Sequence, residues 1–200
     1  MNFDGLLRDL GAVRYSALRE KVLTLDSGTW RENLVRQESF DVHKQTESVV
    51  LLFIEIDEWP RIVVKRKAGW KHLGAAAMTL VDDVVDAHFA PGGVVARAVI
   101  ARVGPGARIM PHTDTHSSFH CGHRVHIPLV TNARVRFTIA GKPFSLEEGH
   151  AYEINNQKPH SVMNNSRAGR IHFIFDYVPP GRFRESGDGH RVAESEGCPA

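Results

Sequence analysis

Only two cysteines, Cys121 and Cys198, occur in the 200 residues of this chain. That is too few for a disulfide scaffold or a cysteine-rich zinc site, and it fits a reducing cytoplasm. Charge of one sign is also lacking. Lys and Arg number 25 against 23 Asp and Glu, a formal charge of +2, which gives no ground for nucleic acid or an anionic membrane as the main partner. No apolar run approaches the roughly 20 residues of a membrane span. The first ten residues carry Asp4 and Asp9 and lack the basic-then-apolar layout of a signal peptide. What remains is an ordinary globular composition, 42% hydrophobic and 24% charged, enough for one structural domain around one core. Histidine is the exception. There are 12, and five fall between His112 and His126.

Periodicity divides the chain. In 1–93, the spacing of Leu18, Val22 and Leu25 predicts a helix over 15–25, ended by the turn cluster Asp26-Ser27-Gly28. The run SVVLLFIEI over 48–56 is β-branched and short, a strand buried on both faces, with 61–65 as its pairing partner. Residues 73–89 form the strongest helix, with Leu80, Val81, Val84 and Val85 on its apolar face and Asp82, Asp83 and Asp86 outside. In 94–180 the period shortens to two. Strands are expected over 94–103, 107–111, 124–131, 134–139, 142–146, 151–154 and 170–178, linked by short Gly- and Asn-containing turns. Many short strands with short links predict a sandwich, barrel or jelly roll. Residues 181–200 are polar and glycine-rich and read as a loose tail.

The chemistry-bearing signal is His112-Thr113-Asp114. On extended backbone, positions i and i+2 point to one side, so an imidazole and a carboxylate can reach one metal ion. A second histidine from a distant strand would complete a two-His, one-carboxylate face, which leaves positions open and suits non-haem Fe(II). His160, after Pro159, is the candidate. Arg170 opens the apolar strand RIHFIFDYV. A guanidinium on a core-facing strand needs a partner, and a carboxylate ligand gripped bidentately supplies one; a solvated strand-edge arginine is the alternative.

Taken in order, Pro105-Gly106, Pro111-His112-Thr113, Arg124-Val125-His126, Glu148-Gly149, Pro159-His160 and Arg170 through Tyr177 resemble the aspartyl/asparaginyl β-hydroxylase-like Fe(II)/2-oxoglutarate oxygenases. The resemblance spans about 95–180. It implies a mainly β protein with N-terminal helices, built on a double-stranded β-helix (a jelly-roll, cupin-like fold). It implies Fe(II) held by His112 and His160, 2-oxoglutarate and O₂ as co-substrates, Arg170 on the far carboxylate of 2-oxoglutarate, and Arg124 and His126 also contacting it. Mammalian protein-hydroxylating members carry glycine where this chain has Asp114. Here HxD is kept, as in bacterial-type relatives, several of which act on free amino acids or small metabolites. The expected activity is hydroxylation of an amino acid, a peptidyl residue or a related small metabolite. A cupin-type metal enzyme without 2-oxoglutarate and a non-catalytic β-barrel binding module are the alternative readings.

Substrate choice is expected in the N-terminal part, where Arg36, His43 and Thr46 stand close together before the buried strand. Asn156 is a candidate as well, either orienting ligands or making a turn with Asn155. The segment between Asp114 and Arg124, with His116, His120 and His123, reads as a loop over the mouth of the site, expected to be solvated.

Overall fold

Strand β11 (Arg170–Val178) sets the plan of the molecule. Its odd members, Ile171, Phe173, Phe175 and Tyr177, join one large core cluster, and three of its even members, Arg170, His172 and Asp176, are buried polar groups. By its two-residue alternation the strand turns an apolar face to the helical layer and sets buried polar groups on the other face. A computed structural model describes residues 3–31, 46–186 and 191–193, and among these the chain is mainly β with few helices.

Seven antiparallel strands form the major sheet, in the order β1 (Leu7–Ala12), β9 (His150–Ile154), β6 (His123–Val130), β11, β4 (Val94–Val103), β2 (Thr46–Ile54) and β3 (Val64–Arg66). A minor sheet of four has the order β5 (Arg108–His112), β10 (His160–Asn164), β7 (Val135–Ile139) and β8 (Lys142–Phe144). The two sheets face each other as a double-stranded β-helix. Val103, Ile109, Phe137, Ile139, Tyr152, Ile154 and Val162 fill part of the space between them. Helices α1 (Ser16–Leu23) and α3 (Trp70–His88) cover the outside of the major sheet, and α2 (Ser27–Arg31) sits beside β2. Leu18, Val22, Leu73, Ala77, Leu80, Val81 and Val84 of the two longer helices bury against Val49, Leu51, Ile100, Val125 and Phe173, each large side chain contributing about 1.5–3 kcal/mol.

Three expectations are corrected. The segment read as a loose tail carries two paired strands, β12 (Phe183–Glu185) and β13 (Arg191–Ala193). β13 also hydrogen-bonds the segment at 60–62, through Ile62 N to Arg191 O and Ala193 N to Pro60 O. Backbone pairing needs no apolar pattern, so a polar composition concealed it. The segment after Asp114 is packed rather than solvated: a 3-10 turn, Ser117–Phe119, buries Ser118. Cys121 is fully buried and disulfide-bonded rather than a reduced thiol, because a cysteine count does not say which sulfurs the fold brings together. The cysteines therefore lend no support to a cytoplasmic location. No helix among the described residues is long and apolar enough to cross a membrane.

Candidate active site

β5 and β10 lie side by side with His112 opposite His160, and the two imidazole centroids are 4.3 Å apart. Asp114 follows the end of β5, where its backbone N–H donates to Asn156 O over 3.2 Å. One ligand atom from each of His112, Asp114 and His160 lies within 4.8 Å of the others, a group able to hold a metal ion.

The surroundings prepare these three groups for a cation. His112 Nδ1 is 2.9 Å from Met110 O, and His160 Nδ1 is 3.1 Å from Lys158 O. A carbonyl only accepts, so each Nδ1 carries a proton and Nε2 is the ring nitrogen left for a metal. Burial pushes the His160 pKa down to about 4, with Asp114 opposing, so the ring is neutral at physiological pH. For Asp114, burial favours the protonated acid, but Arg124, His160 and a hydrogen bond from Asn156 outweigh it and hold the carboxyl below its usual range. Asp114 Oδ2 accepts from Arg124 Nη1 and, over 3.1 Å, from Asn156 Nδ2. That leaves Oδ1 to face a cation. The donor set of two imidazole nitrogens and one carboxylate oxygen fits Fe(II).

A buried charge row stands behind it. Asp176 on β11 lies in register with Arg97 on β4 and Arg124 on β6. It accepts from Arg124 Nε over 2.7 Å and Nη2 over 2.8 Å, and from Arg97 Nη1 over 3.3 Å. Phe119 caps both guanidiniums, 4.0 Å from Arg97 and 4.6 Å from Arg124. Arg97 Nη2 donates to Ser118 Oγ over 2.6 Å, and the same hydroxyl is 2.7 Å from His116 Nδ1. The loop after Asp114 is thereby fixed to the row.

A cavity opens beside the three ligand residues. It is lined by His112, His160, Arg124, His126, Arg170 and Thr46, with Ala101, Ile109, Phe137 and Ile174 among its apolar walls. The fold therefore brings together His112, Asp114, His160, Arg124, His126, Arg170, Thr46 and Asn156. Arg36 and His43 lie outside the described residues. Sequence reasoning missed Arg97 and Phe119 and gave Asp176 no task. An aspartate in the apolar run RIHFIFDYV, at the same parity as Arg170, was the available signal.

Two histidines and a carboxylate brought together on a double-stranded β-helix make a donor set of the kind that non-haem iron oxygenases use. Residues 23–180 match the aspartyl/asparaginyl β-hydroxylase family, and the chain belongs to it: it is a 2-oxoglutarate-dependent hydroxylase with Fe(II), 2-oxoglutarate and O₂ as its cofactor and co-substrates. No curated protein matches the sequence. Among solved structures, a prolyl hydroxylase from Trichoplax adhaerens, in complex with a hypoxia inducible factor peptide fragment, is 13% identical. The similarity covers 89% of this chain and 86% of that one, with a TM-score of 0.55. The non-heme monooxygenase ThoJ, as a nickel complex, is 16% identical over 88% of this chain and 74% of its own, with a TM-score of 0.54. The viral collagen prolyl hydroxylase of Paramecium Bursaria Chlorella virus-1, as a 2OG complex, is 7% identical over 88% and 97%, with a TM-score of 0.50. At these identities the likeness is one of fold.

Proposed function

We propose that this enzyme hydroxylates an amino acid, as a free molecule or within a peptide, or a related small metabolite, and that His112, Asp114 and His160 are its iron ligands. The supporting observation is the pairing of a prepared three-ligand face with a cavity whose inner wall carries Arg170. Bound Fe(II) would supply O₂ activation coupled to oxidative decarboxylation of the co-substrate. His112 and His160, fixed by the carbonyls of Met110 and Lys158, present Nε2. Asp114, held by Arg124 and Asn156, presents Oδ1. Arg170, buried and lining the same cavity, anchors the far carboxylate of 2-oxoglutarate through a charge-assisted contact. His126 lines the same cavity, and so does Arg124, whose grip on Asp114 accompanies its place beside the co-substrate. Apolar walls such as Ile109, Phe137 and Ile174 keep water from the reacting groups.

The N-terminal part, 1–93, is proposed as the substrate side. Thr46 from β2 reaches the cavity, and the Trp59 ring meets His116 of the packed loop edge-on at 6.0 Å. Both contacts support an N-terminal contribution to substrate choice. The neighbours in fold include one captured with a peptide and one named a monooxygenase, in keeping with a substrate read from side chains around the mouth rather than from the barrel itself.

The test is succinate release from 2-oxoglutarate across a panel of free amino acids and peptides, with the oxidised product identified by mass. Substrate-dependent succinate and a product heavier by one oxygen are expected. Arg170→Ala is expected to raise the 2-oxoglutarate KM at least tenfold, the loss of a charge-assisted carboxylate contact. An unchanged KM would remove Arg170 from that role.

A further inference from the structure

β11 carries a second buried polar side chain beside Arg170, and none of the chemistry above uses it. His172 is 1% exposed and lies two residues further on, so it points to the same side of the strand. Arg170 Nη2 donates to His172 Nδ1 over 2.6 Å. A guanidinium has only donors, so His172 Nδ1 must offer a lone pair, and the proton of the neutral ring sits on Nε2. That Nε2 is buried without a hydrogen-bond partner. Burial, and then the charges of Arg170 and His126, hold the His172 pKa well below the ordinary histidine value, so the ring stays a neutral acceptor. His126 packs edge-on against it at 5.8 Å. An apolar residue would fill this place without leaving a donor unspent. The histidine is suited instead to holding Arg170.

We propose that His172 is a positioning residue for the co-substrate. It fixes the plane of the Arg170 fork so that the remaining guanidinium donors meet the far carboxylate of a 2-oxo dicarboxylic acid. It thereby sets the preference for 2-oxoglutarate over shorter 2-oxo acids. This rests on the reading of Arg170 as carboxylate anchor. A bidentate grip depends on orientation as much as on charge, and residues that orient a binding group govern affinity without touching the ligand.

The test is anaerobic calorimetric titration of the Fe(II)-loaded enzyme with 2-oxoglutarate and with pyruvate, which lacks the far carboxylate. His172→Leu is expected to weaken 2-oxoglutarate binding about tenfold or more and to leave pyruvate binding within about twofold. His172→Asn, whose Oδ1 falls near the place of Nδ1, is expected to restore most of the affinity. His172→Gln, which sets its oxygen near Nε2 instead, is expected to behave like the leucine variant and keeps the test open if leucine prevents folding. In an Arg170→Ala background, His172→Leu should add nothing. Equal weakening towards both acids, or no rescue by asparagine, overturns the positioning role. If Arg170→Ala weakens 2-oxoglutarate binding and His172→Leu and His172→Gln do not, the inference fails while the anchor reading stands. If Arg170→Ala itself has no effect, the anchor reading fails, and the inference with it.

Discussion

Asp176 is the residue on which the buried electrostatics turn. It is 4% exposed and separates two arginines that would otherwise face each other. Burial alone would depress the pKa of each. For Arg97 that effect prevails over the attraction of Asp176, whereas for Arg124 the pull of Asp114 and Asp176 overcomes it and raises the pKa. Asp176→Leu should destabilise the fold by about 3–5 kcal/mol, the cost of leaving buried charge uncompensated, measured by urea unfolding. It should also weaken Fe(II) binding, because Arg124 loses the support from which it holds Asp114. Asp176→Asn, which keeps acceptor geometry without the charge, should lose less. Equal stability of the leucine variant and the wild type would contradict this role. At this scale the three residues proposed as ligands were legible in the sequence as HxD and a later His, and the fold brings them together. The tasks of Asp176, Arg97 and Phe119 were not. They arise from the register of three strands distant in sequence, which no local pattern encodes.

Elements position these residues, and their junctions are tight. Gly93 leads from α3 into β4, where an added Cβ would lie 2.3 Å from Val178 O and 2.4 Å from the Tyr177 ring. Its N–H donates to Tyr177 Oη over 2.7 Å, and that hydroxyl donates to Ala90 O over 2.6 Å. Gly93→Ala should therefore cost about 1–3 kcal/mol through overpacking, read as a lowered Tm. An unchanged Tm would show that the turn can yield. Strands β4 and β11 carry the expected bounds because both faces are largely buried and their sequences are predominantly apolar. β10 was invisible as a strand: HSVMN exposes Met163 at 41%, and only His160 in it drew notice. β1 was missed as well, since LRDLGA has a mixed polar pattern and owes its form to pairing with β9. Strand formation in β1, at the edge of its sheet, is specified by its neighbour, so its own residues say little.

Taken whole, the molecule is a helical layer on a seven-stranded sheet, with the site between that sheet and the four-stranded one. The proposed ligand set, His112 with Asp114 and then His160, comes from two adjacent strands far apart in sequence and exists only in the folded chain, so metal and co-substrate should stabilise it by mass action. Fe(II) with 2-oxoglutarate at about 100 times Kd should add about 2.7 kcal/mol, seen as a raised Tm under anaerobic conditions and reversed by a chelator. A Tm indifferent to both would contradict the site. The most direct measurement follows from the same assembly: anaerobic titration of the apo-protein with Fe(II) and then 2-oxoglutarate, monitored by visible absorption. The account predicts a weak charge-transfer band from the keto acid chelated on iron, saturable in 2-oxoglutarate and lost in His160→Ala. Iron binding without the band, or a band that survives in His160→Ala, would contradict it.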